Sequence, residues 1–293
     1  MSVRRFLHFA YGLMMGTSVP YIKAPRRFFI PQRQDEIAPG IWVQSGGSVN
    51  CVALVDGKGL MLNLGADVLA PSWREFMYGT TGLSAGVQVV VQGLSEDICG
   101  GLPLLRSHLS SWTIAAPADE LASSEIPERE LVEGAVELSA ESVFSVGRFR
   151  CRLIPAGLCV TPCDLVVFEE TERVLFLGPL LTVGYHPILR HTRCVRPRAW
   201  AQRLEKLVAD LQPRLIVPGE GPATCTVEDV DIFVRYLRAL SDPAVEFASC
   251  RQNFDWPEIP ETTSLEENFD ILRIAAQEEA ISQTAMSLSG SRS

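Results

Sequence analysis

Residues 87–105, VQVVVQGLSEDICGGLPLL, decide how this chain folds. The stretch opens with Val87, Val89, Val90 and Val91, a run of β-branched residues that predicts a buried strand. It closes with Gly100, Gly101 and a helix-like cluster of Leu102, Leu104 and Leu105. The polar turn between them follows the carboxyl end of a strand, where α/β proteins gather their active sites. That turn is therefore the first place to be read for chemistry.

Outward from this turn the pattern is regular. Toward the N-terminus, residues 40–43, 49–55 and 60–64 predict three strands. Asp56-Gly57-Lys58-Gly59 between the last two is a tight hairpin turn, with glycine where positive φ is needed. Residues 71–77 predict a helix with Pro71 in its first turn. Toward the C-terminus, residues 112–116 form a short strand, and 132–183 read as strands and turns, among them 148–154, 165–168 and 174–177. Trp200, Leu204, Leu207, Val208 and Leu211 fall at helical spacing in residues 198–211. A buried strand at 215–217 leads into Pro218-Gly219-Glu220-Gly221-Pro222, and residues 227–240 form a last core helix. Pro257 and Pro260 mark a linker over 255–263. Ser264 and Glu267 then match a capping box ahead of a stripe of Leu265, Phe269, Leu272 and Ala276. That stripe must be buried, on the chain's own core or on a partner. Residues 287–293 read as disordered.

At 47% hydrophobic, the 293 residues can build a substantial core. A formal charge of −9 argues against a nucleic-acid-binding protein. The distribution says more. Residues 1–34 hold Arg4, Arg5, Lys23, Arg26, Arg27 and Arg33 and no acid, leaving a net −15 on the rest. The N-terminal arm, residues 1–36, is basic, then apolar from Phe6 to Ile22, then basic again. Mitochondrial targeting or docking, a secretory signal and a membrane helix compete to explain it. The last fits poorly, because the apolar run is shorter than the ~20 residues a span needs and Pro20 interrupts it. The eight cysteines form no CxxC pair, and several lie in apolar runs, which reads as reduced buried thiols.

Residues 92–101 resemble the metallo-β-lactamase superfamily motif T-H-x-H-x-D-H-x-G-G. Aligned on Gly100-Gly101, the motif's histidines fall on Gly93, Ser95 and Ile98, and only the aspartate persists, as Asp97. Four more fragments follow the family in order. Leu62-Asn63-Leu64-Gly65 resembles L-I-D-T-G with the aspartate become Asn63. Val160-Thr161-Pro162-Cys163-Asp164-Leu165 resembles H-T-P-G-D-L with valine at the ligand. Phe176-Leu177-Gly178-Pro179 resembles F-x-G-D with proline at the bridging aspartate. Val217 to Pro222 resembles V-P-G-H-G-P with Glu220 for histidine. The turn-forming half of each motif remains and the ligand half is replaced.

The resemblance implies a four-layer αββα sandwich over residues 37–245, preceded by the arm at 1–36 and followed by a linker and C-terminal helical tail at 246–293. It also implies a lost metal site. Gly93, Ile98, Val160 and Pro179 carry no ligating side chain, Ser95 is a poor ligand, and Asp97 with Glu220 is too few for paired zinc ions. None of His8, His108, His186 and His191 occupies a motif position, and the HPILRH pair reads as an exposed loop. Without a metal, nothing brings a water's pKa near 7. The expectation is a pseudoenzyme with no cofactor. It would serve as a structural or accessory subunit, binding other subunits through the arm and the C-terminal helix and an anionic membrane surface through the arm. Its location would be mitochondrial, at the inner membrane, with secretion or the cytoplasm as alternatives. The rival is a hydrolase or thiol-dependent enzyme rebuilt around Cys99, Cys159, Asp97 and Glu220. On the bland reading, Asp97 caps the helix that follows it and the cysteines fill space.

Overall fold

The computed structural model describes residues 33–45, 49–65, 75, 79, 87–106, 109–115, 127–189, 192–256 and 264–290. Most of the arm, the helix expected at 71–77 apart from Glu75, and His8, His108 and His191 lie outside them.

A seven-stranded sheet runs in sequence order: β1 (Arg33–Ala38), β2 (Ile41–Ser45), β3 (Cys51–Val55), β4 (Gly59–Leu62), β5 (Val87–Val90), β6 (Leu109–Ala115) and β7 (Val136–Leu138). β1 to β4 pair antiparallel, and β4 to β7 pair parallel. The β3–β4 turn forms as expected, with Gly57 at φ +69°. The second sheet is ordered β12-β11-β10-β9-β8, from β8 (Ser142–Val146), β9 (Phe149–Gly157), β10 (Asp164–Glu169), β11 (Val174–Thr182) and β12 (Leu215–Glu220). Its last pair, β11 and β12, is parallel.

Two short helices, α1 (Glu96–Cys99) and α2 (Leu102–Leu105), follow β5. A 3-10 turn covers Pro127–Val132. α3 (Pro197–Leu211) links β11 to β12, and α4 (Val227–Ser241), α5 (Phe247–Asn253) and α6 (Leu265–Gly290) complete the helices of the described residues. Alternation along the second sheet builds two cores. Leu153, Leu165, Val167 and Phe176 face Val43, Leu54, Leu60 and Leu62 of the first sheet. The intervening Ile154, Val166, Leu175 and Leu177 pack with Trp200, Leu204, Phe233, Tyr236 and Leu272 of the helices. The mixed α/β architecture expected from the sequence is the one found.

The C-terminal helix belongs to this second core. Leu265, Phe269, Leu272 and Ala276 are buried, so their stripe is spent on the chain's own helices. The capping box forms, with Glu267 N donating to Ser264 Oγ at 3.1 Å and Ser264 N donating to Glu267 Oε2 at 3.4 Å. Asn268 Nδ2 donates to Pro187 O and to the Tyr236 hydroxyl, at 2.9 and 3.0 Å. Glu279 accepts from the backbone N–H groups of Arg198 and Ala199, at 3.1 and 3.0 Å. It thereby caps α3, whose own N-cap residue, Arg196, makes no side-chain cap.

Four features differ from expectation. β1 lies partly within the arm delimited at residue 36, because its register against Trp42–Ser45 extends back to Arg33. β4 stops at Leu62, because Asn63 takes a left-handed φ of 62°. α5 occupies part of the tail. Residues 287–290 continue α6 instead of being disordered, since extending a formed helix costs far less than starting one.

Candidate functional site

The loops carrying the motif-like fragments converge on one cleft. Ser95, Asp97 and Ile98 after β5, Val160 and Thr161 before β10, Pro179 and Thr182 in β11, and Glu220 in β12 line one cleft with Val49, Pro187 and Ile188. Its open space is about 40 Å³, room for a few waters, against the several hundred typical of a small-molecule site. The loops are stitched together. Leu94 N donates to Thr161 Oγ1 at 3.1 Å, and Leu165 N to Gln92 O at 2.9 Å. Asn50 donates through its side chain to Pro218 O and Pro222 O, both at 3.0 Å, and through its backbone to Gly219 O at 2.6 Å.

The first motif position is filled from outside. A Cβ on Gly93 would lie 2.9 Å from Ile98 Cδ1, 2.9 Å from Pro179 Cγ and 3.2 Å from Thr161 Oγ1. Ile98 and Pro179 thus bring hydrocarbon to the space that a side chain at 93 would need. Glycine at 93 leaves the volume that Ile98 and Pro179 approach. Gly219 is held to glycine for another reason, since a Cβ there would meet the Gly178 carbonyl oxygen at 2.0 Å.

No family model matches the sequence, and no curated protein matches it. Solved structures do. The DIM-1 metallo-β-lactamase superposes with a TM-score of 0.56 at 15% identity, covering 71% of this chain and 97% of that one. A metallo-β-lactamase from Pontibacter korlensis gives 0.57 at 15% identity, over 71% and 99%. The stereoselective inverting sec-alkylsulfatase Pisa1 from Pseudomonas sp. gives 0.58 at 11% identity, over 83% and 50%. The chain has the metallo-β-lactamase fold.

The metal centre that this fold implies does not fit the residues present. A zinc ion asks for about four N, S or O ligands at roughly 2.0–2.3 Å. Of the cleft-lining motif positions, Asp97 and Glu220 offer carboxylates and Ser95 a hydroxyl, while Ile98, Val160 and Pro179 offer hydrocarbon. Among the described residues no group of three or more His, Cys, Asp and Glu is placed to hold a metal ion.

The thiols do not supply a substitute. Neither Cys99 nor Cys159 lines the cleft. Cys99 Sγ lies 3.0 Å from Ser95 O and Cys159 Sγ 3.8 Å from Ala156 O, so each S–H is turned to a backbone carbonyl. Burial pushes the Cys99 thiol up to about 12 and Cys159 well above its ordinary value. A thiol that stays protonated is neither a nucleophile nor a good ligand.

Other candidates land differently from expectation. The N-cap of α1 is Ser95, and Asp97 sits buried in the first turn with its face on the cleft. His186 is buried instead of exposed, its Nδ1 3.3 Å from the Tyr236 hydroxyl and its ring 5.5 Å from that of Trp256. Two polar elements carry more of the site than the sequence suggested. Asp164 accepts hydrogen bonds from the backbone N–H groups of Cys159, Val160 and Thr161 and from the Thr161 hydroxyl, fixing the turn that presents Val160. Gln92 bonds Asn63 and reaches into the second sheet. Its place directly after an apolar strand, just before the motif loop, was the available signal.

Proposed function

We propose that this chain is a non-catalytic protein of metallo-β-lactamase fold, a structural or accessory subunit of a larger complex. The observation that carries the reading is the close approach of Ile98 and Pro179 to Gly93, which puts hydrocarbon where the family's chemistry needs ligands. The small cleft and the buried thiols support it. The arm and the outer face of α6 are the surfaces through which it contacts neighbours. The Arg-rich residues 1–34, which hold no acid, support a mitochondrial location beside anionic lipid. No helix among the described residues is long and apolar enough to cross a membrane.

Native isolation tests this proposal. The protein is expected in a high-mass assembly, without turnover of β-lactam, thioester or alkyl sulfate substrates. A free monomer that hydrolyses any of them overturns it. A second reading, a rebuilt hydrolase, draws on Asp97 and Glu220, which still line the cleft. It predicts that Asp97→Asn or Glu220→Gln abolishes a measurable hydrolysis.

A further inference from the structure

A strand at the edge of a sheet leaves N–H and C=O groups that another strand can pair with. Three of the four edges here are guarded. β1 carries Arg33, Asp35 and Glu36 and is bulged between Glu36 and Ala38. β12 contains Pro218, and its Ile216 and Gly219 carbonyls accept from Cys225 N and Asn50 N. β7 is only three residues long, with Glu137 bonded to Arg129. β8 differs. Ser142-Val143-Phe144-Ser145-Val146 holds no charge and no proline, and its register with β9 runs without a bulge. Among the described residues no strand pairs with its outer side.

The turn fixes which backbone groups face outward. Val146 and Phe149 are partners across the two-residue turn Gly147-Arg148, with Gly147 at φ +54°. The closing pair of such a hairpin exchanges both hydrogen bonds, and bonded and non-bonded pairs alternate from there. Phe144–Cys151 and Ser142–Leu153 are therefore bonded pairs, while Val143 and Ser145 turn their N–H and C=O away from β9. The partner of Ser145 has the matching phase: the Arg150 carbonyl accepts from Glu170 N, on the β10 side. The Val143 and Ser145 side chains are exposed, and Phe144, on the other face, packs partly buried on the first core.

This edge is complementary to itself. A second β8, antiparallel about a two-fold axis at Phe144, sets Val143 opposite the partner's Ser145 and Ser145 opposite the partner's Val143. Both pairs then exchange two hydrogen bonds, and the two Phe144 side chains become close cross-strand neighbours at the axis. Charge does not oppose the approach. Arg150 and Arg152, on the face shared with Val143 and Ser145, are each paired within the chain, to Glu170 at 2.6 Å and Glu141 at 2.7 Å. We infer that β8 is a docking edge whose occupant is a second copy of this chain, the two five-stranded sheets joining through it into one. The inference goes beyond the subunit reading and does not rest on it.

Sedimentation velocity of the full-length protein tests this. The shared edge is short, so dimer should appear between about 1 and 100 µM. Val143→Pro removes an N–H that makes no bond within the sheet, a change an edge strand tolerates. Ser145→Lys places a charge at an exposed position of the edge. Each should weaken dimerisation at least about tenfold. Circular dichroism checks the fold, and Ser145→Lys carries the test if the proline variant does not fold. Amide exchange locates the contact: the Val143 and Ser145 amides should slow as protein concentration rises, and the Val143 amide should stay fast in Ser145→Lys. A monomer over the whole range overturns the inference, as does a dimer that foldable variants leave intact. So does protection of Val143 and Ser145 that is the same at every concentration, because another part of the same chain would then cover the edge. Each of these failures leaves the subunit reading standing, since that reading fails on catalysis or on the absence of a complex.

Discussion

Asn63 and Gln92 hold each other in both directions. Asn63 Nδ2 donates to Gln92 Oε1 at 3.0 Å, and Gln92 N donates to Asn63 Oδ1 at 2.9 Å. The Gln92 amide then donates to Leu165 O and Phe176 O, at 3.3 and 2.8 Å, so a pair at the ends of β4 and β5 ties the first sheet to the second. Asn63→Asp would turn a carboxylate oxygen toward Gln92 Oε1 and is expected to cost ~2 kcal/mol. Gln92→Leu leaves both carbonyls and the Asn63 amide unbonded and is expected to cost ~3 kcal/mol or more. Urea denaturation measures both. Losses below ~0.5 kcal/mol, the range of an ordinary surface substitution, would show that the clamp does not hold the sheets.

The Gly93 contact predicts non-additivity. Gly93→Ala forces its methyl against Ile98 and Pro179 and should cost about 1–3 kcal/mol, the usual range for overpacking. Ile98→Ala removes the wall, leaving a cavity that the new methyl partly fills. The double variant should therefore be more stable than the sum of the two losses predicts, by ~1 kcal/mol or more in a double-mutant cycle. Additivity would mean that the two side chains do not share the space.

Asp164 gives the protein a pH dependence of definite sign. Burial pushes its carboxyl from 3.8 up to about 6, and the donors from Thr161, Val160 and Cys159 pull the other way. Between those values the folded chain keeps a proton that the unfolded chain has released. The contribution is present below pH ~4 and is lost as pH rises toward ~6, by up to ~3 kcal/mol. Stability–pH profiles of the protein and of Asp164→Asn should differ by this falling segment. Parallel profiles would place the Asp164 titration at the same pH in both states.

Glu279 tests whether the C-terminal helix is part of the folding unit. Its carboxylate satisfies two N–H groups in the first turn of α3, so Glu279→Ala should cost about 1–2 kcal/mol. The loss should appear in one cooperative transition monitored on Trp200, which is buried between α3 and β11. A separate early transition of α6, with Trp200 unaffected, would make the helix an appendage.

The fold was legible where backbone geometry constrains residue choice. Gly57 in the hairpin and Gly219 against the Gly178 carbonyl are positions where another residue is strained or does not fit. The valine run of β5 and the stripes of α3 and α6 were legible because burial has a period. The failures lie where long-range contacts decide. β1 has an exposed, polar sequence and is made a strand by pairing with β2. His186 is buried by Trp256 and Tyr236, which lie 70 and 50 residues away in the chain, and spacing could not place it inside. Glu279 reads as a solvent residue until the N-terminus of α3 is set beside it. Within the site, the residue types were readable one by one, but the approach of Ile98 and Pro179 to Gly93 is a property of three loops together.

Zinc titration of the purified, chelator-treated protein, by calorimetry with elemental analysis of the same sample, tests the central claim most directly. The account predicts no saturable binding at micromolar zinc and less than about 0.1 ion per chain, since the positions around Gly93 present hydrocarbon where zinc needs N, S or O donors. One or two ions bound per chain, released on substituting Asp97 or Glu220, would contradict it.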